Sequence, residues 1–512
     1  MTTKSKRVTL NVPMNRVEGD LEVRVELEDG VVAEARCSGT MFRGFENILV
    51  GRGPLDGIVI TPRICGICST SHLAAAARAL DSVAGVQPPP DGIRVRNVAL
   101  LTEQVQSDLR QTFLMFAPDL VNRRWSSQPL HGEAVRRYAP FEGTTALEAV
   151  TVPGRAMEVV AILGGQWPHA SFMVPGGITS VPSQNDLLQC RLLLRELREW
   201  YERRVLGCSV ERFKALRNAG ELEAWLEEEP HRESELGFLW RYGRAIGLDR
   251  TGRGPGAFVS YGGLDLPEGS EVAASDVTAA GFVGEGEEPL PLDQRQVVEH
   301  VACSWFEDDE PRHPMQGRTR PYATGEEGQR YSWAKAPRYG DRPAETGPLA
   351  EMMVGRVPLF VDLIARDGPS TLLRQLARLT RPARMLPVME RWLAEAQGDG
   401  TFYKPCGEIT EGEGCGLVQA PRGALGHWVR ITDGAIAHYQ IITPTAWNAS
   451  PRDDAGTPGP MEQALVGTAV QDPEDPVELG HVVRSFDPCL VCTVHAVRAG
   501  RTVGVLRTGS AR

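Results

Sequence analysis

The spacing of apolar residues near the start of the chain predicts β-structure. In residues 21–36, LEVRVELEDGVVAEAR, every second residue of the first seven is apolar, and the pair Asp29-Gly30 follows. An aspartate–glycine pair between alternating segments is typical of a two-residue hairpin turn, because both residues tolerate positive φ. Residues 427–442, HWVRITDGAIAHYQII, predict a second hairpin that turns at Asp433-Gly434.

Longer segments with apolar residues three and four positions apart predict helices with wide apolar faces. The pattern is found at 71–83, 98–116, 154–165, 185–207, 351–368 and 370–397. Between about 210 and 345 the chain is rich in glycine, proline and acidic residues, which predicts irregular structure with modest strand and helix pieces. We therefore expect an α+β fold that is predominantly helical, with long buried helices and small hairpins or sheets at the periphery.

The chain contains no internal repeat and no linker that separates independent domains, so we expect one domain over residues 1–495. Its parts follow in order: a β-rich N-terminal part (1–62), a helical core (63–210), an irregular insert region (211–345), a second helical part (346–400) and a hairpin with a C-terminal metal motif (401–495).

Composition excludes several classes of protein. A formal charge of −11 and the absence of a long basic run argue against a nucleic-acid-binding protein. No stretch reaches the roughly 18 to 20 uninterrupted apolar residues of a membrane helix. The start, MTTKSKRVTL, lacks the apolar segment of a signal peptide. We expect a cytoplasmic protein, or one held at a membrane through a partner.

Ten cysteines in 512 residues are too few for a disulfide scaffold. Six are scattered singly and are expected to be small buried hydrophobic residues. The other four form two C-x2-C pairs, each followed by a histidine: Cys65, Cys68 and His72 in RICGICSTSH, and Cys489, Cys492 and His495 in DPCLVCTVH.

Thiolates are soft ligands that suit zinc, copper(I), nickel and iron. Two pairs can form a structural zinc site, although zinc ribbons bring their pairs together within a few tens of residues. A thioredoxin-like dithiol belongs to a βαβ unit and is expected once. Spacing alone therefore leaves a redox-active metal, a structural zinc and unrelated dithiols open.

The residues around the two pairs narrow this choice. Arg63-x-Cys65-Gly66-x-Cys68-x3-His72 and Asp487-Pro488-Cys489-x2-Cys492-x2-His495 resemble the two signature motifs of the large subunit of nickel–iron hydrogenases. Other segments resemble that family in the same order, from about residue 8 to His495: NRVEGDLEVRVELEDG, MFRGFENIL, ILGGQWPHASFMVPGG, YSWAKAPRYGDRPAETGPLA, APRGALGHW and TPTAWNASPRDD. The resemblance implies the hydrogenase large-subunit fold and heterolytic cleavage of H2.

The resemblance also implies a nickel–iron centre with CO and cyanide on the iron. Cys65 and Cys489 correspond to terminal nickel ligands, and Cys68 and Cys492 to ligands that bridge nickel and iron. Soft, electron-rich donors suit such a centre. Pro444, Thr445 and Asp487 correspond to cofactor-binding residues, the first two beside the cyanide ligands. His72 is expected to support the cysteines without being a fifth ligand; a structural histidine is an equal alternative.

Three further residues match catalytic positions of the family. Cys489 is the expected proton acceptor and passes the proton to Glu18 in RVEGD; a carboxylate beside a thiolate and away from water suits such a relay. Arg422 in APRGALGHW corresponds to a guanidinium above the metals.

Glu46 and His495 correspond to the ligands of a Mg2+ ion, or Fe2+, near the active site. A carboxylate suits such a hard ion. GEGCG at 412–416 lacks the spacing of a nucleotide-binding loop.

The resemblance implies partners as well. No set of clustered cysteines remains for iron–sulfur clusters, so a small subunit that carries them is expected to accept the electrons from H2, in a heterodimer or a higher oligomer. Nickel-insertion proteins and a maturation endopeptidase, which removes residues 496–512, are also expected.

Local differences between this sequence and periplasmic members of the family favour the cytoplasmic-type uptake and H2-sensing branch. The extension after His495 favours an uptake enzyme. An H2-sensing large subunit with little turnover, and a zinc-bound structural protein, are the alternatives.

Overall fold

A computed structural model describes residues 7–324, 328–398 and 400–493, with the backbone alone at Cys492 and Thr493. Its strands form two three-stranded and three two-stranded antiparallel sheets. They are β1 (Arg7–Pro13), β2 (Leu21–Glu28), β3 (Val31–Gly39), β4 (Met173–Val174), β5 (Gly177–Ile178), β6 (Phe258–Tyr261), β7 (Ala280–Val283), β8 (Val297–His300), β9 (Ala336–Tyr339), β10 (Gly412–Ala420), β11 (Gly423–Thr432) and β12 (Ala435–Ile442).

Helices make up most of the regular structure. The first ten are α1 (Phe45–Leu49), α2 (Asp56–Ile60), α3 (Ser69–Ala84), α4 (Pro90–Arg110), α5 (His131–Tyr138), α6 (Thr144–Ala156), α7 (Glu158–Gly164), α8 (Gln184–Trp200), α9 (Val210–Lys214) and α10 (Ala219–Glu227). The others are α11 (Glu235–Ala245), α12 (Ala274–Val277), α13 (Pro348–Val354), α14 (Pro358–Asp367), α15 (Thr371–Thr380), α16 (Pro382–Glu395), α17 (Pro444–Asn448), α18 (Pro460–Leu465), α19 (Val477–Ser485) and α20 (Leu490–Thr493).

The predicted fold class is confirmed: the architecture is mixed and predominantly helical, with small sheets. Both predicted hairpins are present, and their turn residues have positive φ, 51° and 84° at Asp29 and Gly30 and 50° and 71° at Asp433 and Gly434. Residues 210–245 are more helical than predicted, because α9, α10 and α11 lie there. None of the described helices is long and apolar enough to cross a bilayer.

One predicted helix, 351–368, is in fact two. Val357 adopts an extended conformation (φ −63°, ψ 115°) immediately before Pro358 begins α14. Proline disfavours helical geometry at the residue before it, because its Cδ clashes with that residue's backbone. The chain therefore leaves the helix after α13 and starts again.

The largest core lies among the long helices, and two smaller ones lie beside the sheets. Helix α3, which follows the first cysteine pair, packs directly on β10. A Cβ atom at Gly416 would lie 1.8 Å from the Ala75 carbonyl oxygen, and one at Gly414 would lie 2.5 Å from that of Ala79. The GEGCG run therefore serves close helix–sheet approach, which glycine permits because it has no side chain.

Candidate metal centre

The first cysteine pair lies at the N-terminal end of α3. Cys65 is extended (φ −148°, ψ 130°) after a short 3-10 turn, and Cys68 is the residue that precedes the helix. Both are buried. The loop between them, Gly66 and Ile67, is half-buried and brings the pair close to the protein surface.

Glu103, a buried residue of α4, holds the first turn of α3. Its carboxylate accepts hydrogen bonds from Thr70 N (2.7 Å), Ser71 N (2.9 Å) and Ser71 Oγ (2.7 Å). Free N–H groups and the helix dipole favour a negative group at this position. Burial is the main cause that raises the pKa of Glu103, to about 7, against these hydrogen bonds. No motif in the sequence marks Glu103, which is separated from the cysteines by a whole helix.

The second cysteine pair begins in a short extended segment that pairs with the N-terminal part of the chain. Glu18 N donates to the Pro488 carbonyl (3.3 Å), and Leu490 N donates to the Glu18 carbonyl (2.6 Å). Gly19 has φ +80°, and a Cβ there would lie 2.7 Å from Val491 N. The RVEG run is therefore shaped to receive the C-terminal motif, and Cys489 N is further fixed by the Thr445 hydroxyl oxygen (2.8 Å).

These contacts bring three thiols together. The Sγ atoms of Cys65, Cys68 and Cys489 all lie within 4.8 Å of one another, and those of Cys65 and Cys489 are 3.6 Å apart. The predicted convergence of the two ends is present for these three cysteines. The side chain of Cys492, and His495 with residues 496–512, lie outside the described residues.

One arginine contacts both halves of the centre. Arg43 Nη2 donates to the carbonyl oxygens of Ile64 and Val491, and its guanidinium lies 4.8 Å from the centre of the Phe45 ring. Ile64 precedes the first cysteine of one pair, and Val491 lies inside the other. Arg43 could not be identified from the sequence, because no local pattern marks a side chain that donates to carbonyl groups remote in the chain.

Arg422 lies beside the thiols with part of its guanidinium unused. Its Nε donates to the Asp487 carbonyl (2.9 Å) and lies 3.2 Å from Asp487 Oδ2. Within the described residues, Nη1 and Nη2 are buried without a hydrogen-bond partner. Burial opposes the charged form, but Asp487 and the three thiols outweigh it and place the pKa of Arg422 well above its ordinary value. Arg422, Pro444 and Thr445 line a small cavity with Cys68 and Cys489.

Behind Arg422, buried charges form a continuous network. Arg378 Nη1 lies 3.8 Å from Asp487 Oδ2 and 3.6 Å from Asp108 Oδ1. Arg381 binds Asp108 through two nitrogens, each at 2.7 Å. Burial raises the pKa of Asp108 to about 6, while Arg381 and Arg378 oppose it. Of the residues in this network behind Arg422, the sequence marks Asp487. Asp108, Arg378 and Arg381 lie far from the motifs in sequence, and no local pattern marks them.

His72 lies in the first turns of α3 and lines the same cavity. Its Nδ1 lies 3.1 Å from Nε2 of His427, a residue of β11. Its side chain is therefore held by another imidazole on the side of Nδ1.

Glu46 lies at a different cavity. Its carboxylate accepts hydrogen bonds from Ile441 N (2.9 Å) and from the Thr319 hydroxyl. Glu299 and Lys335 line the same cavity, with Lys335 Nζ 3.8 Å from Glu299 Oε2. Burial raises the pKa of Glu299 to about 7; Lys335 opposes this and Glu46 adds to it. Two carboxylates beside one cavity offer oxygen ligands to a hard cation.

The side chain of Glu18 is more exposed to water than the sequence led us to expect. It is 29% exposed and lies 3.4 Å from Arg110 Nη1. In this chain by itself Glu18 is therefore not withdrawn from water, although its backbone joins the segment that carries Cys489.

The donor set fits a soft metal centre. Three buried thiols within 4.8 Å of one another bring together sulfur ligands that zinc, nickel and iron all accept. Beside them are the Arg422 nitrogens Nη1 and Nη2, for which no described residue is a hydrogen-bond partner; they can bind the anionic ligands of a metal or a charged group that forms there. A structural zinc site has no use for such donors.

Comparison with known proteins decides between these metals. A sequence model described as nickel-dependent hydrogenase matches residues 43–124 and 245–495, more than half of the chain. This chain belongs to the nickel-dependent hydrogenase family. A large subunit of a periplasmic nickel–iron–selenium hydrogenase from Desulfomicrobium baculatum is 33% identical, over 95% of this chain and 94% of that protein. The uptake hydrogenase large subunit of Rhodobacter capsulatus is 29% identical, over 96% of each.

The structural comparison agrees. A solved structure of the Desulfomicrobium baculatum nickel–iron–selenium hydrogenase superposes with a TM-score of 0.83 and 30% identity, covering 96% of this chain and all of that one. The chain is therefore a hydrogenase large subunit, an oxidoreductase that acts on H2. Its own sequence has cysteine at positions 65, 68, 489 and 492. Because a periplasmic protein is among these relatives, the cytoplasmic branch stays a prediction.

The Arg43 contact leads to a testable expectation. Arg43→Met is expected to free the segment around residues 490–493, because the carbonyls of Ile64 and Val491 lose a shared charged donor. Hydrogen bonds of charged groups contribute roughly 1.5–3 kcal/mol, so the free energy of unfolding should fall by about that amount. Hydrogen exchange of the apoprotein should be faster at residues 490–493, and retained nickel should decrease.

The matched control is Arg52→Met. Arg52 is exposed and donates to the Ile48 carbonyl within its own turn. It should leave exchange at 490–493 unchanged. Equal exchange in Arg43→Met and wild type would show that the C-terminal motif is held without Arg43.

Proposed function

We propose that this chain is the catalytic subunit of an uptake hydrogenase, with a nickel–iron centre held by Cys65, Cys68, Cys489 and Cys492. The observation that carries the proposal is the group of three buried thiols from opposite ends of the chain, within 4.8 Å of one another, in a member of the nickel-dependent hydrogenase family. Cys65 and Cys489 would hold nickel, and Cys68 and Cys492 would contribute thiolates to both metals. When bound, the centre supplies the heterolytic cleavage of H2.

The other residues of the cavity have defined tasks in this proposal. Arg422 is oriented by Asp487 so that Nη1 and Nη2 face charge at the centre, and Asp487 is in turn held by Arg378. Fixed donors of this kind act strongly where water is excluded. Thr445 fixes the backbone of Cys489. Pro444 and Thr445, at the start of α17, would contact the cyanide ligands of the centre.

The proton would leave through Cys489 and Glu18. Glu18 and Cys489 form an isolated parallel β-bridge, so their side chains start from adjacent backbone positions. Arg110 at 3.4 Å holds the Glu18 side chain toward α4. The partial exposure of Glu18 suits a proton that must reach water.

A hard cation, Mg2+ or Fe2+, is proposed at Glu46 with His495. Glu299 adds a second carboxylate to the same cavity, and Lys335 limits the excess of negative charge there. Cysteine is absent from the residues that line this cavity, so oxygen ligands dominate it.

Electrons would leave through a small subunit with iron–sulfur clusters. The loop of Gly66 and Ile67 is the part-exposed segment between the thiols of the first pair. Half-buried His169 packs against it: its ring lies 3.8 Å from where a Gly66 Cβ would be, and its Nδ1 lies 2.8 Å from the Pro62 carbonyl oxygen. We propose that the small subunit covers this surface, because the loop joins the two thiols of the first pair and is partly exposed.

The proposal of uptake over H2 sensing rests on the 17 residues from Ala496 to Arg512, interpreted as a maturation extension, and on the presence of relatives named uptake hydrogenases. A maturation endopeptidase would cut after His495 once nickel-insertion proteins have acted. A cytoplasmic location, or attachment to a membrane through a partner, belongs to the same proposal.

To test the proposal, the chain is co-expressed with its small subunit and maturation proteins, and the complex is purified. Metal analysis should find nickel and iron in the purified complex, and infrared spectra should contain CO and cyanide bands. H2-dependent dye reduction should be catalytic, and mass spectrometry should find a chain that ends at His495. Zinc without nickel would refute the metal assignment. Nickel and iron with negligible dye reduction would make the protein a sensor.

A further inference from the structure

A row of three buried side chains leads away from the metal cavity. His72 Nδ1 lies 3.1 Å from His427 Nε2, and His427 Nδ1 lies 2.9 Å from the hydroxyl oxygen of Tyr439. The three residues belong to α3, β11 and β12, and they are 1%, 0% and 4% exposed. The row thus joins the helix that follows the first cysteine pair to the sheet on which it packs.

The contact between the two imidazoles needs one proton. Two ring nitrogens 3.1 Å apart form a hydrogen bond only when one of them carries a proton and the other does not. The bond therefore has one of two directions. In one, His427 donates through Nε2–H to His72 Nδ1; in the other, His72 donates through Nδ1–H to His427 Nε2.

Tyr439 decides the direction. Among the described residues, His427 Nδ1 is the hydrogen-bond partner found for its hydroxyl. If His427 donated through Nδ1–H, the hydroxyl proton of Tyr439 would be buried without an acceptor, which is costly. If Tyr439 donates, its hydroxyl proton has His427 Nδ1 as acceptor and the Nε2–H of His427 has His72 Nδ1. Burial keeps this phenol protonated, because it raises the pKa of Tyr439 far above its usual range.

We propose that Tyr439 and His427 are positioning residues that set the tautomer of His72. Tyr439 donates to His427 Nδ1, His427 donates through Nε2–H to His72 Nδ1, and His72 therefore carries its proton on Nε2. His72 lines the cavity with Cys68 and Cys489. Its free ring nitrogen then presents a proton, not a lone pair, to a cavity of electron-rich thiolates.

The consequence for the thiolates rests on the proposed function, but the tautomers belong to the chain alone. They can be read in the full-length apoprotein, labelled with 15N in its histidine rings, because protonated and unprotonated ring nitrogens have well-separated 15N shifts. His72→Gln and His427→Gln assign the two sets of signals. We expect both histidines to be protonated on Nε2 and unprotonated on Nδ1.

Tyr439→Phe removes the deciding donor and is expected to introduce Nδ1–H signals at His427 and at His72. The control is Tyr322→Phe, an exposed tyrosine, which should change neither histidine. An Nδ1–H tautomer in the wild type overturns the proposal. So do unchanged tautomers in a folded Tyr439→Phe protein.

Should Tyr439→Phe fail to fold, the wild-type spectrum alone decides. The result is also independent of the proposed function. Absence of nickel or of H2 oxidation, measured on the loaded complex, would refute that function and leave the tautomers of the apoprotein as found.

Discussion

Replacing Cys489 with serine is expected to remove nickel from the protein and to abolish H2 oxidation. The Sγ of Cys489 lies 3.6 Å from that of Cys65 and within 4.8 Å of that of Cys68, so it is close to both thiols of the first pair. A serine hydroxyl is a hard donor and stays protonated, whereas thiolates suit soft metals. The loss should exceed the roughly 10- to 100-fold effect of residues that only support a ligand.

The protein should remain folded, which makes the result specific. Cys489 N is bound to the Thr445 hydroxyl oxygen, a contact that does not involve the thiol. Nickel per chain and H2-dependent dye reduction are measured beside the thermal unfolding temperature. Cys415→Ser is the matched control, because Cys415 is a half-buried free thiol on β10. A full complement of nickel in Cys489→Ser would contradict the proposed ligand set.

Arg422→Lys is expected to keep the metals and to lower the rate of H2 oxidation by about 10²- to 10³-fold, the range for loss of one fixed electrostatic donor. Arg422 uses Nε to bind Asp487 and keeps Nη1 and Nη2 free for the cavity. Lysine has a single nitrogen, which cannot contact Asp487 and face the cavity with two further donors. The charge is retained, so the change tests geometry.

Turnover is measured at saturating H2 together with nickel content and infrared bands. Arg430→Lys is the control, since Arg430 is on β11, the strand that begins directly after Arg422, and pairs with exposed Glu413. Unchanged turnover in Arg422→Lys would show that the guanidinium is a structural partner of Asp487 and no more. Loss of nickel would assign Arg422 to assembly of the centre.

The parts of the fold that were predicted correctly depend on neighbouring residues. The turns at Asp29-Gly30 and Asp433-Gly434 need positive φ at both positions, and few residue pairs accept this. The helix over residues 71–83 is contained in α3, Ser69–Ala84. The error at 351–368 had the same local origin: the apolar period continued across Pro358, but the residue before proline could not be helical.

The site was predicted in part, and the missing part is remote in sequence. Cys65, Cys68, Cys489, Arg422 and Asp487, which the structure brings together, could be named from the sequence because they lie in short motifs. Glu103, Arg43 and Asp108 could not be, since each acts on a partner on another element. A glutamate in an amphipathic helix has no local sign that it will be fully buried against the start of a second helix.

The sequence by itself determined the hairpins, the helical segments, the two cysteine pairs and the resemblance to nickel–iron hydrogenases. These follow from φ preferences, apolar periods and residue spacing within a few positions. Tertiary structure alone decided that Glu18 and Gly19 receive the segment of Cys489, that Arg43 joins both halves, and that His427 stands behind His72. The reason is physical: a buried polar group must find a partner, and packing, not sequence distance, decides which groups are within reach.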